Sequence, residues 1–432
     1  MAHRIVIVGG GAGGLELATR LGQRLGRRRQ AAITLVDSRL THLWKPLLHE
    51  VAAGSLDLSD NAYSYIAQAR WKHFQFQLGR MCGLDRQAKT IALAPLRHDD
   101  GSEAAPARTL AYDTLVLALG SVTHDFHTPG AAAHCIFLDT PEQAERLHRL
   151  LLAKYLAAHA GNDRQAQLRI AIVGAGATGV ELAAELRNAA QQFAAYGLGN
   201  IAPENLHLTV LDAGPRVLPA LPERIGRDAH QTLEKLGVQV ITGAAVSRVT
   251  ADHLETADGR VIPAHIKVWA AGIKAPDFLH ELAGLETNRM HQLVVRDTLQ
   301  TTRDGAIFAL GDCAACPLGD GSGNNVPPRA QSAHQQASLL AQSLPAHLLG
   351  RPLPSYRYRD YGSLVSLSHY SAVGNLMGNL LGSVKVEGWL ARLFYLSLYR
   401  MHQVALSGMF PTALRMLSDR IGRRTDPRLK LH

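Results

Sequence analysis

Gly9, Gly11 and Gly14 stand in GxGxxG spacing after the apolar run Ile5–Val8, and Gly174, Gly176 and Gly179 repeat that spacing after Ile170–Val173. A turn of this kind can hold a pyrophosphate. Its first glycine permits a tight turn, its second lets the backbone approach the phosphates, and its third lets the following helix pack against the strand. The unpaired N–H groups and the positive end of that helix then face the anion. Each turn is followed by a carboxylate closing a second apolar run, Asp37 after ITLV and Asp212 after LTVL, where it can accept hydrogen bonds from ribose hydroxyls.

A third kind of site residue lies at the end of TTRDGAIFALGD, residues 301–312. A parallel strand ending in Gly311-Asp312 is well placed to return beside the first unit, where Asp312 can bind a polyol such as the ribityl chain of a flavin. The first dinucleotide is then FAD, and the second unit holds a nicotinamide cofactor. Asp212 favours NADH over NADPH, because a carboxylate that accepts from a 2′-hydroxyl repels a 2′-phosphate; the neighbouring Arg216 works against that preference. Glu16 and Glu181 occupy corresponding positions behind the two turns, and both suit a first helical turn where the dipole favours a carboxylate. Cys313 and Cys316 form a CxxC directly after Asp312. A structural or incidental pair is the preferred reading, since metal ligation lacks a second pair. The histidines show no HExxH or comparable ligand spacing, so no metal site is expected.

The elements that must position these residues repeat as well. GLELATRL and GVELAAEL have the apolar spacing of amphipathic helices, and the short apolar runs before the turns read as buried parallel strands. DTLVLALG, ending at Gly120, is paralleled by HIKVWAAG, ending at Gly272. Three matched features in one order make an internal duplication. The second copy is the longer, most simply in the 188–205 stretch. A helix is expected from Pro141 through PEQAERLHRLLLAKYLAAH. Arg39–Ser55 is a mixed loop and helix with Trp44, Lys45, Pro46, His49 and Glu50 close together, which reads as an ordinary connector or as a wall of the flavin pocket. Arg24, Arg27, Arg28 and Arg29 close the first helix as a solvated cationic end.

A chain of 432 residues exceeds what one hydrophobic core usually holds. Its 47% hydrophobic and 19% charged content is globular. Four cysteines are too few for a disulfide scaffold, and the N-terminus enters a strand without a signal-peptide core, so folding in the cytoplasm is expected. Of the net charge of +9, residues 385–432 carry nine Lys and Arg against three Asp and Glu. No apolar stretch is long enough for a transmembrane helix. A chain without a spanning path cannot itself carry protons across a bilayer. From Gly388, Trp389, Leu390, Leu393, Phe394, Leu396, Tyr399 and Leu406 form a broad apolar surface interrupted by Arg392, Arg400 and His402. That pattern suits a helix lying in the headgroup layer, with a basic amphipathic stretch behind it and anionic lipid holding the excess charge. A terminal helix pair packed on the core is the plainer alternative.

The paired units, the Gly311-Asp312 strand and the segment Ala330, Gln331, Ala333 and Gln335 (AQxAxQ) resemble the type II NADH dehydrogenases, single-subunit NADH:quinone oxidoreductases. The resemblance extends over essentially the whole chain. HLWKPLLHEVAAGSLD, VWAAGIKAPDFL, LVVRDTLQTTRD, VPPRAQSAHQ, GSLVSLS, SLYRMHQ and PRLKLH look especially like the enterobacterial-type member. It implies an α/β fold of two Rossmann-like dinucleotide-binding domains plus a C-terminal amphipathic helical membrane-binding segment. The domain limits expected are 1–125 with 295–350 for FAD, 126–294 for NADH, and 351–432 for the membrane anchor. By this resemblance Gly9, Gly11, Gly13, Gly14, Asp37, Lys45, Gly120, Asp312 and Ala330 contact FAD, while Gly174, Gly176, Thr178, Gly179, Asp212 and Gly272 contact NADH. Glu181 is implied near the nicotinamide and flavin, relaying protons, and Gln331 and Gln335 line the quinone site. The residue types agree: Gln331 and Gln335 are i, i+4 on one helical face, Ala330 and Ala333 let flat rings approach, and amides can hydrogen-bond quinone carbonyls without adding charge.

The implied activity is non-proton-pumping transfer from NADH through FAD to ubiquinone or menaquinone, at the cytoplasmic face of the bacterial inner membrane. The partners are NADH, quinone and an anionic membrane surface, with no nucleic acid and with a homodimer left open. Two other readings compete. One is a soluble flavin disulfide reductase using Cys313 and Cys316; the other is a flavin-bearing redox sensor with a basic tail, which fits the charge but not the second nicotinamide unit.

Overall fold

The computed structural model describes residues 2–98, 100–163, 165–367, 371–376, 384–387 and 399–422. They form two compact units, one of Met1–Trp44, Ala62–Val122 and Ile273–Arg359, the other of Lys45–Asn61, Thr123–Gly272 and Asp360–His432. The first opens with strand β1 (His3–Val8), helix α1 (Ala12–Leu21) and strand β2 (Ala31–Asp37). Ile5 to Val8 are buried, as befits a central parallel strand covered on both faces. Between β2 and β3 (Gln75–Leu78) the segment 45–61 leaves for the second unit, where it forms α2 (Leu48–Ala53). An antiparallel meander of Met81–Asp85, Thr90–Leu93 and Arg108–Ala111 then leads to β4 (Thr114–Leu117), which pairs parallel with β1.

The second unit repeats this order. Helix α3 (Pro141–Ala160) starts at a capping box in which Thr140 and Gln143 satisfy each other's backbone N–H groups. Strand β5 (Leu168–Val173), helix α4 (Ala177–Ala195) and strand β6 (Leu206–Leu211) follow, then β7 (Val238–Ile241), a second antiparallel meander over 246–263, and β8 (Ile266–Trp269). The sheet order is Ile136–Phe137, β8, β5, β6, β7, all parallel. The duplication therefore includes the meander, which the apolar pattern does not reveal. The extra length of the second copy lies partly in α4, which has 19 residues against the 10 of α1.

The chain then returns to the first unit as β9 (Asp304–Ala309), which pairs parallel with β4 and gives the order Gln300–Thr301, β9, β4, β1, β2, β3. Helix α5 (Ala330–His347) packs on α1, with Ala333 against Gly13. These seams differ from the limits expected above. Residues 273–294 join the return because Leu293 pairs with Ala314 and the Gln292 amide donates to the Asp312 carbonyl at 2.8 Å. Residues 45–61 join the second unit because Gly54 lies directly under His148, and because Ser55 donates to Glu185 at 2.9 Å. At the C-terminus a helix covers 399–407 and α6 spans Met409–Gly422. Tyr399, His402 and Leu406 are buried, whereas Met409, Phe410, Leu414, Met416 and Leu417 are exposed. Trp389, Leu390, Arg392, Leu393, Phe394 and Leu396 lie outside the described residues. Among the described residues no helix is long and apolar enough to cross a membrane.

The two glycine turns are close copies. Gly9 and Gly174 take φ of +102° and +110°, and a Cβ on Gly14 or Gly179 would stand only 1.9 Å from the carbonyl oxygen of Gly9 or Gly174. Around Gly11 and Gly176 there is open space. Gly14→Ala is therefore expected to lower stability by about 2 kcal/mol, read from the urea midpoint, whereas Gly11→Ala, with open space around it, shifts the midpoint less.

Candidate functional site

In the first unit, Gly11 caps α1 without a side chain to satisfy the helix amides, so those N–H groups stay available to an anion. The turn is held by Asp37, whose Oδ2 accepts the Gly10 N–H at 2.7 Å and whose Oδ1 accepts the Arg39 N–H at 2.9 Å. Burial raises the Asp37 carboxyl above its ordinary value, and those backbone donors oppose the shift. The Gly10 carbonyl accepts from the Tyr65 hydroxyl at 2.8 Å and from His42 Nδ1 at 2.9 Å. Neither partner stands out in the sequence, because each reaches the turn only through folding.

The return strand supplies the rest of this cradle. Gly120 and Gly311 both take positive φ, and Ser121 Oγ donates to Asp312 Oδ2 at 2.8 Å. The Gly311 N–H donates to Gln336 Oε1 at 2.7 Å, a glutamine that the residue spacing did not single out. Ala330 is the first residue of α5, and Gln331 is half-buried in its first turn. Gln335 brackets the backbone of Arg359, accepting its N–H at 3.0 Å and donating to its carbonyl at 2.8 Å. Glu16 is fully buried and bonds His334 at 2.6 Å and Arg20 at 2.7 Å. It joins α1 to α5. An open uncapped turn, a ribose-level carboxylate and a second carboxylate on the return strand together fit an FAD.

The second unit has the same cradle in its own sheet. Gly176 caps α4 with no side-chain bond, Thr178 is exposed in the first turn, and Gly179 closes it. Asp212 Oδ2 accepts the Ala175 N–H at 2.6 Å and its Oδ1 accepts the Gly214 N–H at 2.7 Å. Arg216 donates to the carbonyls of Leu218, Pro219 and Leu221 at 3.1, 2.7 and 2.8 Å, which ties its guanidinium into its own loop. Gly272 is exposed at the end of β8. Glu181 lies 3.6 Å from His49 Nδ1, and burial pushes that imidazole down to about 4 against the pull of Glu185. Lys45, expected at the flavin, belongs to this unit and pairs with Asp139 at 3.1 Å.

Cys313 and Cys316 are buried free thiols that burial pushes up to about 11 and about 12. Such groups remain protonated at neutral pH, the opposite of a reactive dithiol. Among the described residues no group of three or more His, Cys, Asp or Glu side chains is arranged to hold a metal ion.

Residues 3–337 match the pyridine nucleotide-disulphide oxidoreductase family. The chain is similar to a type II NADH:quinone oxidoreductase of Haemophilus influenzae, with 46% identity over 99% of each chain. It is also similar to the type II NADH:quinone oxidoreductase NdhA of Mycobacterium tuberculosis, with 30% identity over 93% of this chain and 84% of that one. In fold it is similar to the NDH2 of Plasmodium falciparum in complex with NADH, with a TM-score of 0.83 over 100% of both chains at 18% identity.

The bond between His42 and Gly10 has a consequence for pH. Burial lowers His42 to about 4 from 6.5, so the folded protein holds the neutral ring while the unfolded chain protonates it first. Its contribution is full above pH 6.5 and is lost as the pH falls toward 4, a change on the order of 3 kcal/mol. In urea titrations, His42→Gln should flatten the fall in stability over that window.

Proposed function

The chain belongs to the type II NADH:quinone oxidoreductases, and from that membership we propose how its own residues divide the reaction. The activity is oxidation of NADH and reduction of a quinone without proton pumping. When bound, FAD would supply the two-electron redox chemistry that links a hydride donor to a quinone. The observation that carries the assignment is the twin cradle: two uncapped helix N-termini with open glycines at Gly11 and Gly176, each braced by a carboxylate locked onto its turn.

In this reading Gly9, Gly11, Gly13 and Gly14 hold the FAD pyrophosphate, Asp37 its ribose, and Gly120, Asp312 and Ala330 the flavin half. Gly174, Gly176, Thr178 and Gly179 hold the NADH pyrophosphate. Asp212 accepts from the adenosine ribose, and the engagement of Arg216 with three carbonyls supports NADH over NADPH, since that guanidinium is already occupied by its own loop. Gln331 and Gln335 line the quinone site, Gln331 presenting its amide to a quinone carbonyl and Gln335 held in place by its two bonds to the Arg359 backbone. Glu181, 3.6 Å from His49, serves as a proton relay near the nicotinamide and flavin. The exposed apolar face of α6, followed by the basic end of the chain, suits the headgroup layer of an anionic membrane. We place that membrane contact on the cytoplasmic face.

Anaerobic mixing with NADH and then with a ubiquinone, following flavin absorbance, tests the assignment directly. Gln331→Ala should slow reoxidation by quinone on the order of tenfold and leave reduction by NADH intact; equal loss in both steps would sink the role given to Gln331. Removal of residues 388–432 should abolish sedimentation with phosphatidylglycerol vesicles, and unchanged sedimentation would defeat the membrane contact.

A further inference from the structure

Phe126 is a large apolar side chain left 56% exposed. Its backbone φ is +53° and that of the next residue, His127, is +54°. Two consecutive non-glycine residues in the left-handed region are unusual and persist only where the surroundings impose them. The surroundings do so here. The Phe126 N–H donates to His124 Nδ1 at 2.8 Å, the His124 N–H donates to the Gly272 carbonyl at 3.2 Å, and the buried Trp269 indole donates to the His124 carbonyl at 3.0 Å. The base of the loop is thus fixed to the end of β8 while its tip holds a phenyl ring out.

That ring is already half of a stack. It lies on the His124 imidazole with centroids 4.4 Å apart and planes 9° from parallel. Its Cζ is 2.4 Å from where a Cβ on Gly272 would stand, so only glycine at 272 lets the ring sit there. The sheet order says which part of a dinucleotide comes to this place. β6, carrying Asp212, lies on one side of β5, and β8, carrying Gly272, lies on the other. A dinucleotide across the turn at Gly176, with its adenosine ribose on Asp212, extends its other half over the end of β8.

We propose that Phe126, seated on Gly272 and stacked on His124, is the platform on which the nicotinamide ring of NADH lies. The inference rests on the second unit being the NADH cradle. A planar heterocycle covers the face that His124 leaves open and removes apolar surface from water. The oxidised ring carries a positive charge, so a π face attracts NAD+ more than NADH. An aliphatic side chain of similar bulk would keep the apolar burial but lose the ring stacking and the attraction for the charged ring.

The test uses the full-length holoenzyme. Phe126→Leu should raise the dissociation constant for NADH, read from the concentration dependence of anaerobic flavin reduction, on the order of fivefold. It should raise that for NAD+, read by product inhibition, by more. Phe126→Tyr should stay near the wild-type values, and reoxidation by quinone should be unaffected in both variants. Asp212→Ala serves as the control for the cradle. If Asp212→Ala weakens NADH binding and Phe126→Leu leaves both dissociation constants unchanged, the platform is overturned while the cradle stands. If Asp212→Ala has no effect, the reading of the second unit fails instead. Equal weakening by the Leu and Tyr variants would show a merely structural loop and would also overturn the platform.

Discussion

The structure depends on how closely a helix can approach the strand that precedes it. In each unit the third glycine of the turn lies against the carbonyl of the first, with no room for even one methyl group. That approach aims the helix amides at a single point beyond the strand. Packing density fixes the distance, and the backbone rather than any side chain supplies the donors. A site built this way is already organised before a ligand arrives, so little ordering entropy remains to oppose binding.

The carboxylates serve the same arrangement. Asp37 and Asp212 each accept two backbone N–H groups from their own cradle, which holds one oxygen against the turn. A ribose contact from such a group comes with its orientation set. In the first unit the bracing continues outward through Tyr65, His42, Gln336 and the buried Glu16 with His334 and Arg20, so the glycine turn, α1 and the helix bearing Gln331 are tied together.

Much of this was legible in the chain because the signals are local. Apolar runs ending in glycine mark β1, β5, β4 and β8, and the repeated order of turn, helix and Asp marks the duplication. The meanders were not legible, since their strands are short and only partly buried. Nor was the membership of residues 45–61, which is decided by Gly54 meeting His148 and Ser55 meeting Glu185 across long stretches of sequence. Around the two turns, the glycines and acids stand out by spacing alone. Tyr65, His42 and Gln336 do not, because each reaches its partner from an element distant in sequence. Lys45, which the resemblance assigns to FAD, pairs with Asp139, a partner that its neighbours in sequence do not reveal.

The two cradles differ in what lies beyond their third strand. In the first unit that place is taken by β9, six residues long, which delivers Asp312 and leads into α5. In the second unit it is taken by the two-residue strand Ile136–Phe137, and the acid just after it, Asp139, is engaged by Lys45 and by the Thr123 backbone and hydroxyl. One copy therefore has a further wall and the other does not. The duplication thus yields two turns of nearly the same geometry in unequal settings, one flanked by a strand that continues into a helix and the other by a strand of two residues.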